Sequence, residues 1–185
     1  MASQGDRASG ILRFWFHQTR PRQWFSKDPA FDALLRNRFA GLTRAAICGD
    51  LDGWGREPQG GLALVLLLDQ LPRQIWRDTP LAFAGDGQAL ALSRHAVARG
   101  WLRAEPEQAR RQFWLMPLMH AEDLSAQEES QPLFRQFTDA RTADFARRHR
   151  DVIARFGRFP HRNAVLGRTS SGEELAFLET PGSRF

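Results

Sequence analysis

Apolar residues recur along most of this chain at three- and four-residue intervals, and no stretch alternates apolar with polar. That period predicts helices and no sheet. The scarcity of β-branched side chains points the same way, with four Val, four Ile and seven Thr in the chain. Asp28-Pro29 reads as N-cap and first helical residue, opening a helix through Leu34, Leu35, Phe39 and Leu42 to Ile47, with Gly49 as its stop. Gly53, Gly55, Pro58 and Gly60 form a loop around Trp54, after which GLALVLLLDQ starts a helix apolar on every side as far as Leu68. Such a helix belongs at the centre of the fold.

Further starts fall at Thr79-Pro80, at Asp86 (with a stop at Gly100), at Glu105-Pro106 leading into FWLMPLM, and after Ser125 as far as Phe137. Thr138 to Phe156 carries Phe145, Val152, Ile153 and Phe156 at helical spacing before Gly157, and either Ser170 with Glu173 or Ser171 with Glu174 fits a capping box for a short last helix. The pattern thus predicts an all-α fold of about eight helices. Short loops, with no linker long enough to divide the chain, make it a single compact domain over residues 1–185, residues 1–8 being a flexible N-terminus.

Composition supports one domain, since 185 residues at 42% hydrophobic suffice for one real core. No apolar run approaches the roughly 20 residues of a membrane span, and MASQGDRASG lacks the apolar stretch of a secretory signal, so a cytoplasmic protein is expected. Cys48, the only cysteine, excludes an internal disulfide and reads as a buried, inert thiol beside Ala45 to Ile47. The net charge of +5 raises the question of nucleic acid. However, the 25 arginines are spread over nearly every segment rather than gathered into one stripe, and no phosphate loop, zinc finger or RNA-binding signature is present, so nucleic acid is not the expected partner.

Candidate chemistry sits in three places built alike. In LALVLLLDQLPRQIWR an apolar run ends in Asp69, Gln70, Pro72 and Arg73; in FWLMPLMHAED another ends in His120, Glu122 and Asp123; FGRFPHRNAVLGR mixes phenylalanines with Arg158, His161, Arg162, Asn163 and Arg168. Charges drawn inward by such neighbours must be paired. Asp69 and Arg73, four apart with the acid first, suit one helix face. Pro72 is expected to kink or end the helix and free the carbonyl of Leu68. Pro160 suits the first turn of a helix, whose N–H groups near His161 to Asn163 would then face an anion.

The order WF-x-x-D-P-x-F-D (Trp24 to Asp32), L-L-D-Q-x-P-R (Leu67 to Arg73), M-P-L-M-H-x-E-D-x-x-x-Q (Met116 to Gln127), F-G-R-F-P-H-R-N (Phe156 to Asn163) and L-G-R-x-S (Leu166 to Ser170) resembles the DUF924 family. The resemblance covers nearly the whole chain. It implies an all-helical domain similar to tetratricopeptide-like folds, with helical-hairpin packing, in a family of unknown function. It implies no reaction.

Metal binding through His120, Glu122, Asp123, His149 and His161 has suitable ligand types but lacks any E-x-x-H or H-E-x-x-H spacing, so no metal and no cofactor are expected. General acid–base work by His120 beside Glu122 or Asp123 is chemically open, and the catalytic candidates are His120, Glu122, Asp123 and His161. The aromatics Phe14 to Phe16, Trp24, Phe25 and Trp54 are expected to fill the core rather than line a pocket. The central expectation is a polar cluster of Asp69, Gln70, Arg73, His120, Glu122, Asp123, Gln127, Arg158, His161, Arg162, Asn163 and Arg168 lining a pocket for a small polar or anionic ligand. Its motive is the surplus of bases over acids in the motifs. Three other readings stand beside it: a peptide-holding helical groove, an uncharacterised enzyme, and a purely internal salt-bridge network. The oligomeric state stays open.

Overall fold

The computed structural model describes residues 4–184. Every regular element among the described residues is helical, as the periodicity predicts. α1 (Gln4–Arg13) runs into a π turn (Phe14–Gln18), followed by α2 (Pro21–Phe25) and the long α3 (Pro29–Ile47). Part of the stretch expected to be a flexible N-terminus is therefore helix, and Ala8 is buried in the core; residues 1–3 of that stretch lie outside the described residues. The Asp28 side chain accepts the N–H groups of Ala30 and Phe31, the N-cap read from the sequence. Cys48 caps the other end of α3 and is exposed, contrary to expectation, because the helix stops there and turns its last residue outward.

The apolar run is the centre. A 3-10 turn (Asp52–Arg56) leads into α4 (Pro58–Val65), a second π turn (Leu66–Gln70) and α5 (Leu71–Ile75), and residues 61–72 are buried without interruption. α1 and α6 pack on α4, and α3 packs on α5. Trp15, Trp24, Phe113 and Phe16 interlock edge to face beside this axis, and Trp54 is buried against it. Phe25, by contrast, stands exposed.

The remaining elements wrap the second half of the chain around that axis. A 3-10 turn (Pro80–Phe83) precedes α6 (Asp86–Ala98) and α7 (Trp101–Ala104); then come α8 (Gln108–His120), packed on α6, α9 (Leu124–Phe137), packed on α8, and α10 (Ala140–Phe156), packed on α9. A 3-10 turn (Pro160–Arg162) and α11 (Gly172–Leu178) complete the described chain, with Ser171 and Glu174 forming the capping box and Ser170 outside it.

Pro72 explains the second π turn. It brings no N–H, and its ring crowds the carbonyl four residues earlier, that of Leu68. The chain responds by widening: Leu71 N–H reaches back to Leu66 O, five residues away. Gly85 lies against the carbonyl so displaced, and a Cβ there would sit 2.4 Å from Leu68 O. Backbone cannot yield as a side chain can, so Gly85→Ala is expected to cost ~2–3 kcal/mol in urea unfolding and to disturb the start of α6. A cost below ~0.5 kcal/mol would show that the two segments do not need this approach.

Candidate functional site

The π turn carries Asp69 into the interior, where it has no exposed surface. Its carboxylate lies 2.8 and 3.0 Å from Nδ1 of His120, the last residue of α8. Gln70 Nε2 donates to it as well, and Arg73 Nη1 stands 3.3 Å away. Burial alone would push this carboxyl up, but the Arg73 guanidinium and His120 outweigh that and hold it well below the usual carboxylate range. Asp69 is therefore an anion at neutral pH. An ionised carboxylate only accepts, so His120 Nδ1 carries the ring proton and Nε2 keeps its lone pair.

Asp86, the first residue of α6, ties a second pair of charges together. Arg73 meets both of its oxygens at 2.9 Å, and Arg162 Nη1 reaches Oδ2 at 3.2 Å. Arg162 also donates through Nη2 to the His120 carbonyl at 3.1 Å, and its guanidinium is held between the rings of Phe83 (4.7 Å) and Phe159 (4.5 Å). Planar stacking of this kind suits arginine and not lysine. Burial, helped by Arg73, brings Arg162 down to about 10, which still leaves it cationic near neutrality.

Three histidines border this network. The His149 ring centre is 6.1 Å from that of His120, and His149 Nδ1 is 2.7 Å from Phe145 O; His161 rests against Phe159. Burial lowers all three. His161 falls to about 3, with Arg162 adding to the effect, and His149 lies well below its ordinary value. In His120, burial, Arg73 and Arg162 outweigh the attraction of Asp69. All three are neutral at pH 7.

A cleft of ≈ 470 Å³ opens over this network. Phe83, Leu90 and Leu166 form its apolar side, and Asp86, His120, Glu122, Asp123 and Arg162 its polar side. The His120 side chain retains 12% exposure. With Nδ1 engaged by Asp69, Nε2 is the ring nitrogen that remains for a molecule in the cleft.

The expected cluster is thus gathered only in part. Asp69, Gln70, Arg73, His120 and Arg162 converge, with Glu122 close by in a second knot: Arg168 grips it at 2.6 and 2.9 Å, and the Phe159 N–H donates to it at 2.7 Å. Other members do different work. Asp123 is the N-cap of α9, accepting from Ser125 and Ala126. Gln127, fully buried, clamps the carbonyls of Met119 and Ala121. Arg158 faces away and pairs with Glu174 at 2.7 and 2.8 Å, fastening α11. Asn163 is buried and donates to Ser170 Oγ. The expected anion site at Pro160 also fails. The turn is only three residues long, and the N–H groups of Arg162 and Asn163 go to Phe159 O and Pro160 O.

Asp86 and Phe83 were missed, and His149 was considered only as a metal ligand. The surplus of bases in the motifs was the signal for absent acids, and Asp86 and Glu174 supply them. No three His, Cys, Asp or Glu side chains converge to hold a metal ion among the described residues. No described helix is long and apolar enough to cross a membrane.

A family profile described as "Bacterial protein of unknown function (DUF924)" matches residues 11–182. A solved structure of a protein of unknown function from Agrobacterium tumefaciens is similar, at 39% identity and a TM-score of 0.89, covering 96% of this chain and 99% of that one. None of the curated proteins searched matches the chain.

Proposed function

The chain belongs to the DUF924 family of bacterial proteins of unknown function, and from that premise we propose that it binds a small polar molecule in the cleft beside His120. One observation carries this reading: the cleft sets an apolar side against a polar side on which buried Asp69 fixes His120 from behind and Asp86 holds Arg162. Pre-organised polar groups beside an apolar surface are the usual make-up of a small-ligand site. The cluster's acids and bases balance once Asp86 is counted, so the reading favours a polar ligand over an anion. A cytoplasmic setting accords with Cys48 as a free thiol.

The peptide-groove alternative calls for a displayed row of arginine and asparagine. Here Arg162 and Asn163 are buried, which favours the pocket. A purely structural role would account for the ion pairs but gives no reason for His120 to face an open cleft.

Thermal-shift screening of small polar metabolites tests the proposal. At least one is expected to raise the unfolding midpoint by ~5 °C or more, as ligand near 100 times its Kd does in a domain of this size. Ala84→Trp, on an exposed lining residue, fills the cleft without touching the ion pairs and is expected to abolish the shift. A shift that persists in Ala84→Trp places binding elsewhere.

A further inference from the structure

The cleft reading leaves open what the bound molecule presents to the protein, and the arrangement around His120 answers that. Asp69 is surrounded by donors: Gln70 on Oδ2, Arg73 near Oδ1, and His120 Nδ1 within reach of both oxygens. Having no exposed surface, it has no water with which to exchange these partners. The His120 tautomer is therefore fixed, with the lone pair on Nε2.

The charges at the cleft are already matched. Asp86 answers Arg73 and Arg162, and Glu122 answers Arg168. An anion entering would meet the carboxylates of Asp86, Glu122 and Asp123 on the wall and would have to draw Arg162 away from Asp86. A hydrogen-bond donor on an apolar body meets no such opposition. Its polar head finds an acceptor at Nε2, and its body finds Phe83, Leu90 and Leu166.

We propose that His120 is the proton acceptor of this cleft, positioned by Asp69, and that the ligand is an uncharged molecule carrying a hydroxyl on an apolar body. This rests on the small-ligand reading above. The same geometry allows a proton transfer that balances. The ligand O–H bond breaks, the proton goes to Nε2, and the electron pair stays on the ligand oxygen. The imidazolium so formed faces the Asp69 carboxylate on one side and balances the charge of the new oxyanion on the other. A buried carboxylate behind a histidine stabilises such an imidazolium and keeps its ring oriented.

Long-range proton–nitrogen NMR on the full chain with labelled histidine tests this, using resorcinol as the hydroxyl probe and benzoate as its anionic counterpart. The expected result at pH 7.5 is an unprotonated Nε2 on His120 whose signal moves with resorcinol and not with benzoate. Asp69→Asn is expected to free the tautomer and weaken the resorcinol response about tenfold, the worth of one hydrogen bond to a charged group. His120→Asn keeps an N–H toward Asp69 but has no second nitrogen; it should keep the wild-type unfolding midpoint and lose resorcinol altogether. A proton resident on Nε2, or a stronger response to benzoate, overturns the proposal. A fixed tautomer that responds to neither probe overturns the ligand class alone, while the cleft reading stands or falls separately by the wider screen.

Discussion

Lowering the pH from 7 to 4.5 is expected to remove ~3 kcal/mol of stability or more and to lower the unfolding midpoint by ~5–10 °C. The cause is the set of histidines buried in neutral form. His161 stands at about 3 in the folded protein against 6.5 for the unperturbed side chain. A folded value below the unfolded one means that the unfolded chain takes up the proton first. The full stability is therefore present above pH 6.5 and drains away as the pH falls toward 3. Two pH units into that window, His161 alone accounts for ~3 kcal/mol.

His120 and His149 are shifted in the same direction and add to the loss. Among the described residues, the groups facing them are Arg73, Arg162 and the neighbouring histidines, which resist protonation, and Asp69 and Glu122, which favour it. Asp69 and Glu122 are themselves held low, so their stabilising effect persists through this window and is lost only below about pH 4.5. Circular-dichroism melts at half-unit steps give the curve, and His161→Gln should make it shallower. A midpoint that holds steady down to pH 4.5 would mean that these rings take up protons freely in the folded state.

The second large effect belongs to Asp86. In Asp86→Ala, Arg73 loses its bidentate partner but keeps Asp69 at 3.3 Å, whereas Arg162 is left with only the His120 carbonyl while its side chain is 7% exposed. Removing one partner of a buried pair costs ~3–5 kcal/mol, because the remaining charge stays desolvated. Urea unfolding should show a loss of that size. The double variant Asp86→Ala with Arg162→Met should lose less than the two single losses combined, since it leaves one fewer stranded charge. A loss under ~1 kcal/mol for Asp86→Ala would mean that water reaches Arg162 and screens it.

What could be read from the sequence, and what could not, follows the range of the interactions. Caps at Asp28 and at Ser171 with Glu174 involve neighbours two or three residues away and were legible, as was the all-buried run before Asp69. Pro72 pointed correctly to trouble at Leu68, but a 3.6-residue period has no way of showing that the chain would widen into a π turn rather than stop. Partners were harder. Arg162 finds Asp86 across 76 positions, and Glu174 takes Arg158 out of the cluster that its neighbours join. Nothing local distinguishes Arg158 from Arg162. What separates them lies far off in the chain: Glu174 pairs with Arg158, and Asp86 and Phe83 meet Arg162.

The π turn, the start of α6, the end of α8 and the Pro160 turn reach the cluster from widely separated stretches of chain, and that has a consequence for biosynthesis. As the polypeptide leaves the ribosome, Asp86 and Arg73 are available to each other early, while Arg162 arrives 76 residues after Asp86. The nascent protein can collapse around its central apolar helix with His120 already beside Asp69, yet the wall formed by Arg162 and Leu166 is still missing. The cleft is thus closed only once Arg162 and Leu166 have been made.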